Sequence, residues 1–123
     1  MPTGMNYGTG RAITFFTMGQ LDSVSGVTLT DDTVVRDAMG CVHLMGEITT
    51  SATVAAGNHL ARLPDGFRPA SNVWVTVPVY LVTNSWATRQ IVIDSDGWIS
   101  PNQNTNGSFK VNGCVFSILD SIY

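Results

Sequence analysis

The sequence predicts an all-β protein, a single-domain antiparallel β-barrel or sandwich. Three observations predict it. Short apolar or alternating runs recur at roughly 8 to 12 residues, with turn residues between them. No stretch carries the 3.6-residue apolar period of a long amphipathic helix. The 123 residues are one domain's worth, enough to bury a core without covalent staples.

The elements follow in chain order. Residues 1–10, MPTGMNYGTG, read as an extended N-terminal arm able to dock on a partner, and residues 11–123 as the β-barrel domain. AITFFTM (12–18) is a strand, followed after a polar break by SGVTLT (25–30). TVVRDAMGCVHLMGEITTS (33–51) reads as two strands, or one long bent strand, interrupted at Asp37–Gly40. In its second half Val42, Leu44 and Gly46 alternate with His43, Met45 and Glu47, the period of a pleated strand.

LARLPDGFRP (60–69) puts two prolines, a glycine and two arginines between apolar residues. Pro64 and Gly66 fall where a type I turn over Leu63–Gly66 wants them, at its second and fourth positions. Arg68 precedes Pro69 and is pushed to extended geometry. Leu60, Leu63 and Phe67 can tuck beneath. The expectation is a rigid crossover from one sheet to the other, built on Pro64, Gly66, Phe67, Arg68 and Pro69 and carrying no chemistry of its own.

NVWVTVPVYLV (72–82) is rich in β-branched and aromatic residues, with Val73, Val75, Val77, Val79 and Leu81 on one face. Pro78 cannot donate to a ladder, so this strand is expected at an edge or bulged there. ATRQIVIDSDGWIS (87–100) is a hairpin. Gly97 supplies a positive φ to the turn and Asp94 bonds its own backbone, with Asp96 between them. A polar loop, PNQNTNGS (101–108), leads to closing segments FKVNG (109–113) and CVFSILDSIY (114–123).

Composition narrows the function. Charged residues make up only 12% against 44% apolar, too few to clothe a lone monomer, so part of the surface is expected to lie against other copies of the chain. A net charge of −3 with six scattered basic residues argues against nucleic acid. No run approaches the ~18 apolar residues of a membrane-spanning helix, and the N-terminus lacks a signal-peptide pattern. Cys41 and Cys114 each sit in an apolar run and read as buried free thiols.

Catalytic constellations are not visible. His43 lies on an alternating strand and His59 in a loop. Neither belongs to a metal-spaced set, so no metal or other cofactor is expected. Asp94-Ser95-Asp96-Gly97 begins like a calcium loop but lacks the later ligands and the closing Glu. Saccharide binding asks for less: an aromatic face for the C–H side of a pyranose, and amides or Arg for its hydroxyls. Asn84, Trp86 and Arg89 fall within TNSWATRQ (83–90), Gln90 follows, and Trp98 stands just past the hairpin turn. Each tryptophan also has a packing reading: Trp86 capping the barrel end or meeting a neighbouring subunit, Trp98 and Trp74 within the sheet. Asn102, Gln103, Asn104 and Asn106 add only a solvated loop nearby.

The order of GCVHLMGEIT, LARLPDGFRPASNVWV and IVIDSDGWIS resembles the C-terminal head domain of bacteriophage tail-fibre and receptor-binding proteins, over about residues 33 to 118. Phe67-Arg68-Pro69 followed by an apolar strand, and Asp96-Gly97 inside an I-x-I-x-x-(D/N)-G-x-I hairpin, carry the resemblance. It implies a Greek-key barrel, three copies about an axis, displayed on a virion and binding host-surface saccharide. Such heads use His, Asp, Arg and Trp near this hairpin. Here the hairpin offers Arg89, Gln90, Val92, Asp94 and Trp98, so those ligands do not transfer one for one.

The resulting expectation is a non-enzymatic receptor-binding protein, made in the host cytoplasm and mounted on the virion tail or surface fibre. As a homotrimer it would hold cell-wall or capsular polysaccharide through Asn84, Trp86, Arg89 and Trp98. The alternative is a structural virion protein (head fibre, decoration or adaptor) that binds other viral proteins. The low charge and the short arm at the start of the chain favour that alternative.

Overall fold

The computed structural model describes residues 17–118 and contains strands but no helix there. The sequence-predicted arm, residues 1–10, and most of the first predicted strand lie outside the described residues. Within the described residues twelve strands form two antiparallel sheets. The larger has the order β2-β7-β10-β9-β8-β11-β6-β3, comprising Asp22–Ser23, Ala61–Arg62, Trp98–Pro101, Trp86–Ile93, Val73–Leu81, Gly107–Lys110, Glu47–Thr50 and Val27–Thr30. Its outermost strands, β2 and β3, are consecutive in the chain and joined by a turn in which Val27 N–H donates to the Val24 carbonyl (3.2 Å). The sheet therefore curls into a nearly closed barrel. The smaller sheet has the order β1-β4-β5-β12, comprising Thr17–Gln20, Thr33–Arg36, Cys41–Leu44 and Val115–Ser117.

One core serves both sheets. Val34, Val42, Leu44 and Phe116 of the smaller sheet pack in the same cluster as Ile48, Val77, Val79, Ile91, Ile93, Ile99 and Phe109 of the larger. Each such side chain stabilises the fold by about 1.5–3 kcal/mol on burial. The even-numbered alternation read from the sequence holds from Val42 to Thr50. The segment nevertheless forms three strands, not two, because the alternation runs through a change of sheet: β5 lies in the smaller sheet and β6 in the larger.

The neighbouring chain segments change sheet at the same level. β3 and β4 divide at Asp31 (φ 54°), and β11 and β12 at Asn112-Gly113. At the middle of this line stands Gly46, with φ 96° and its N–H donating to Asn112 Oδ1. A Cβ there would collide with the backbone carbonyls of Thr30 and Asp31. Glycine is the residue that lets three strands bend together.

LARLPDGFRP forms a turn over a buried apolar base, and it departs from the sequence expectation in two ways. The turn is framed one residue later: Phe67 N–H donates to the Pro64 carbonyl (3.2 Å), which puts Gly66 (φ 88°) at the third position, where a type II turn needs positive φ. The segment also does not pass between sheets. It joins β7 to β8 within the larger one, spanning β10 and β9. Leu60, Leu63 and Phe67 are buried beneath it. Arg68 donates through Nε to the Leu63 carbonyl (2.9 Å) and pairs with Asp65 (2.8 Å). Its side chain lies so close over Gly97 that a Cβ there would sit 2.7–2.9 Å from it. The FRP turn and the Asp-Gly hairpin are thus in contact, and each constrains the residue the other can carry.

Pro78 does not bulge its strand. β8 pairs with β9 continuously from Val73↔Ile93 to Tyr80↔Trp86. On the other side the ladder to β11 covers only Val79 to Leu81. Pro78 stands where that ladder ends, so the first half of β8 is an edge on that side. The two cysteines are free thiols, Cys41 half-buried and Cys114 buried.

Candidate functional site

The outer face of the β8–β9 hairpin carries the polar and aromatic groups the sequence singled out, but not in one cluster. Alternation sends Trp74, Thr76, Pro78 and Tyr80 outward from β8, and Trp86, Thr88 and Gln90 outward from β9. Tyr80 faces Trp86 across the pair, with ring centroids 5.0 Å apart and planes tilted by 58°. Trp86 is 62% exposed. Trp74, expected to pack among the valines, is instead 55% exposed, because it lies on the side of β8 away from the core.

Asn84 occupies the hairpin tip. Its φ of 62° is tolerated by Asn in tight turns, and its N–H donates to the Leu81 carbonyl (2.9 Å). Arg89 is three residues from Trp86 and so leaves β9 on the opposite side, partly buried. Its Nε donates to Thr105 Oγ1 (3.2 Å) and its Nη1 to the Thr88 carbonyl (3.0 Å), which turns the guanidinium toward the strand edge.

There a cleft of about 280 Å³ opens, lined by Thr76, Thr88, Arg89, Gln90, Asn102 and Gln103. Arg89 is the one charged side chain in that lining, and no carboxylate pairs with it among the described residues. The 101–108 segment is better tied down than a solvated loop. Asn102 N–H donates to the Gln90 carbonyl (2.9 Å), and the Asn104 side chain accepts from Ala56 N–H (3.0 Å). The Asn106 side chain accepts from Thr50 Oγ1 (3.0 Å).

Trp98 lies at the far end. Trp98 follows the Asp94 turn, and Asp94 lies eight residue steps from Trp86, roughly 26 Å in extended strand. Its indole stacks on His59 (centroids 4.1 Å apart, planes at 7°), and Arg62 lies over the ring at 4.7 Å. Arg62 in turn donates to the Asp96 carbonyl (2.9 Å). The ring faces on which a sugar would stack are occupied. The structure thus brings Trp86 and Asn84 to one hairpin end, sets Arg89 in the adjoining cleft, and leaves Trp98 elsewhere. The turn chemistry of Asp94, Asp96 and Gly97 is as read from sequence: Asp94 Oδ1 accepts from the N–H groups of Asp96 (2.9 Å) and Trp98 (3.0 Å), and Gly97 has φ 89°.

Sequence reasoning missed Tyr80 and its neighbours on β11 and β6. Lys110 Nζ binds Glu47 (2.8 Å) and Ser108 Oγ (3.1 Å), and lies 6.0 Å from the centre of the Trp86 ring. Lys110 holds the Glu47 carboxyl below its ordinary value by donating to it. Strand alternation in GSFK and EITT could have put Ser108, Lys110, Glu47 and Thr49 on polar faces. Only the pairing register places those faces beside Trp86. No group of three or more His, Cys, Asp or Glu side chains is placed to hold a metal among the described residues.

No protein-family model matches the chain, and no curated protein matches it in sequence. Among solved structures it is similar to the receptor binding protein (gp15) of Listeria phage PSA, with a TM-score of 0.63 and 15% identity, over 82% of this chain. The chain spans 64% of the length of that protein. At that identity the likeness is one of fold.

Proposed function

We propose that the chain is the receptor-binding head of a bacteriophage tail fibre, holding host cell-wall or capsular polysaccharide on the outer face of β8 and β9 without cutting it. The observation that carries this reading is the amide- and Arg-lined cleft of about 280 Å³ beside the exposed Trp86, on a fold shared with a phage receptor-binding protein. Gln90, Asn102, Gln103, Thr76 and Thr88 offer donors and acceptors for sugar hydroxyls. The adjoining Trp86 offers a stacking face. Binding without cleavage is supported by a cleft lining that holds no carboxylate, while Asp94 closes its turn and Glu47 is paired with Lys110. Glycoside hydrolysis calls for two carboxyl groups facing one bond.

A homotrimer would multiply weak sites, raising avidity by about 10²–10⁴. The smaller sheet supports such contacts. Met18, Val35, His43 and Val115 lie in one cross-strand row on its outer face, with Met18 and Val115 exposed. The same row favours the second reading, a structural protein that docks on other virion components.

Mass in solution together with a host-polysaccharide pull-down separates the two. The receptor-binding reading expects a trimer that retains the glycan. It also expects virions carrying Trp86→Ala and Arg89→Ala together to adsorb at least about tenfold less. Normal adsorption by those virions would sink it. A chain that binds no glycan and changes assembly state only with other virion proteins, and that fails to assemble once residues 1–10 are deleted, would be structural.

A further inference from the structure

Beside the cleft, the Tyr80–Trp86 pair continues into a polar network drawn from two further strands. Cross-strand pairing places Ser108 opposite Tyr80, and Thr49 opposite Ser108, so one row runs Trp86, Tyr80, Ser108, Thr49 across β9, β8, β11 and β6. The next row holds Lys110 opposite Glu47. Thr49 Oγ1 and Ser108 Oγ share a hydrogen bond (3.0 Å), and Ser108 Oγ lies 3.3 Å from Glu47 Oε1. Lys110 is bound to both Ser108 and Glu47. The Thr49, Ser108, Glu47 and Lys110 side chains are each held by another of the four, so little of their freedom remains to be lost on binding.

We propose that this ledge (Tyr80, Trp86, Ser108, Lys110, Glu47) is a subsite for an uncharged pyranose, stacked on Trp86 with adjacent hydroxyls bridging Lys110 and Glu47. It rests on the reading of the β8–β9 face as a glycan surface and extends that reading to a second sugar residue. Two features carry it. The tilted pair of rings forms a corner with one open indole face, the geometry that receives the C–H side of a sugar rather than a flat protein surface. The polar side of the corner has one cation and one anion side by side. A hydroxyl can accept from Lys110 while its neighbour donates to Glu47. A uronic acid or a phosphate would meet the Glu47 carboxylate, and an amino sugar would meet Lys110. The ledge is neutral where the cleft is cationic. Thr88 of the cleft is two residues from Trp86, about 7 Å along the strand, so the two subsites adjoin.

The test is titration of the whole chain with the methyl glycosides of glucose, galactose and mannose, with glucuronic acid and with glucosamine, followed through the Trp86 indole N–H signal in NMR spectra. At least one neutral glycoside is expected to move that signal, with a dissociation constant on the order of millimolar. Lys110→Met and Glu47→Gln are each expected to weaken it by roughly tenfold. These substitutions are at the surface, and an unchanged thermal midpoint verifies folding. Tighter binding of the uronic acid or the amino sugar overturns the proposal, as does neutral-glycoside binding by either variant that is as tight as that of wild type. Host polysaccharide supplies the separating arm. If wild type retains it and Lys110→Met and Trp86→Ala retain it equally well, the ledge is overturned and the glycan reading stands. If wild type binds neither polysaccharide nor glycosides, the glycan reading fails and the ledge with it.

Discussion

Strand β9 and its turn run from Trp86 to the Asp94 loop that leads into Trp98, and the two ends treat an indole in opposite ways. At the first end Trp86 has Tyr80 tilted against it and the ammonium of Lys110 at 6.0 Å, and stays open to solvent. At the second, His59 stacks on Trp98, Arg62 lies over it, and the turn beneath is pinned by Arg68 across Gly97. The residue type is the same and the strand register continuous. What differs is the neighbour: β7 and its preceding loop bring cationic and aromatic groups onto Trp98, whereas β8 brings a single tilted Tyr to Trp86. An indole is a binding surface or a packing element according to what the adjacent strands supply.

The contrast is sharpest at Gly97. Gly97→Ala introduces a Cβ at φ 89° that must displace an Arg68 side chain already bonded to the Leu63 carbonyl and to Asp65. The expected loss is about 2–3 kcal/mol, on the order of 10 °C in thermal midpoint. Gly57→Ala is the control. Its φ is 85° and a Cβ meets nothing within 4 Å, so it should lose only about 1 kcal/mol. Equal losses would mean that the Arg68 contact does not hold the packed end together.

A smaller effect tests the two indoles directly. Trp98→Ala is expected to destabilise by about 1–2 kcal/mol through the lost His59 and Arg62 contacts while leaving glycan retention intact. Trp86→Ala is expected to stay within about 0.5 kcal/mol of wild type in stability and to lose retention. Thermal denaturation and pull-down on the same samples decide it. A Trp98 variant that folds normally and binds nothing would reverse the assignment.

Local chemistry was legible in the sequence, and long-range pairing was not. The hairpin at Asp94 was read from its Asp and Gly. The segment Asp37–Cys41, read only as an interruption, forms the same turn. Asp37 Oδ1 accepts from Met39 and Cys41 N–H groups (2.9 and 3.1 Å) as Asp94 Oδ1 does from Asp96 and Trp98, and Gly40 has φ 80°. Both obey Asp-x-x-Gly, so the signal was present. Alternation likewise gave the buried face of β8 and could have separated Trp86 from Arg89, an odd number of residues apart. Sheet membership had no such signal, because the alternation from Val42 to Thr50 is unbroken across Gly46. The ledge was hidden for a related reason: Glu47, Tyr80 and Lys110 come from three separate stretches and meet only through strand register.

The smallest effect concerns the cations at the two ends. Lys110 at the open end binds a carboxylate, whereas Arg62 at the packed end binds the Asp96 carbonyl and an indole. Because Lys110 donates to it, the Glu47 carboxyl is lowered from its ordinary 4.5. A depressed carboxyl contributes stability above its unfolded value and loses that contribution as pH falls through the folded one. The destabilisation caused by Lys110→Met should therefore be full at neutral pH, begin to shrink below about pH 4.3, and disappear as pH falls through the lowered folded value. Glu47 and Lys110 are partly exposed, so solvent screening limits the whole effect to roughly 0.2–1 kcal/mol, less in high salt. Arg62→Met removes a hydrogen bond to a carbonyl and a contact with an indole, so no carboxyl protonation cancels its cost in acid. Thermal midpoints of the two variants against wild type at pH 7 and pH 3 make the comparison. A Lys110 effect that persists in acid would show that its hold on the open end comes from packing its methylene stem beside Trp86 rather than from its charge.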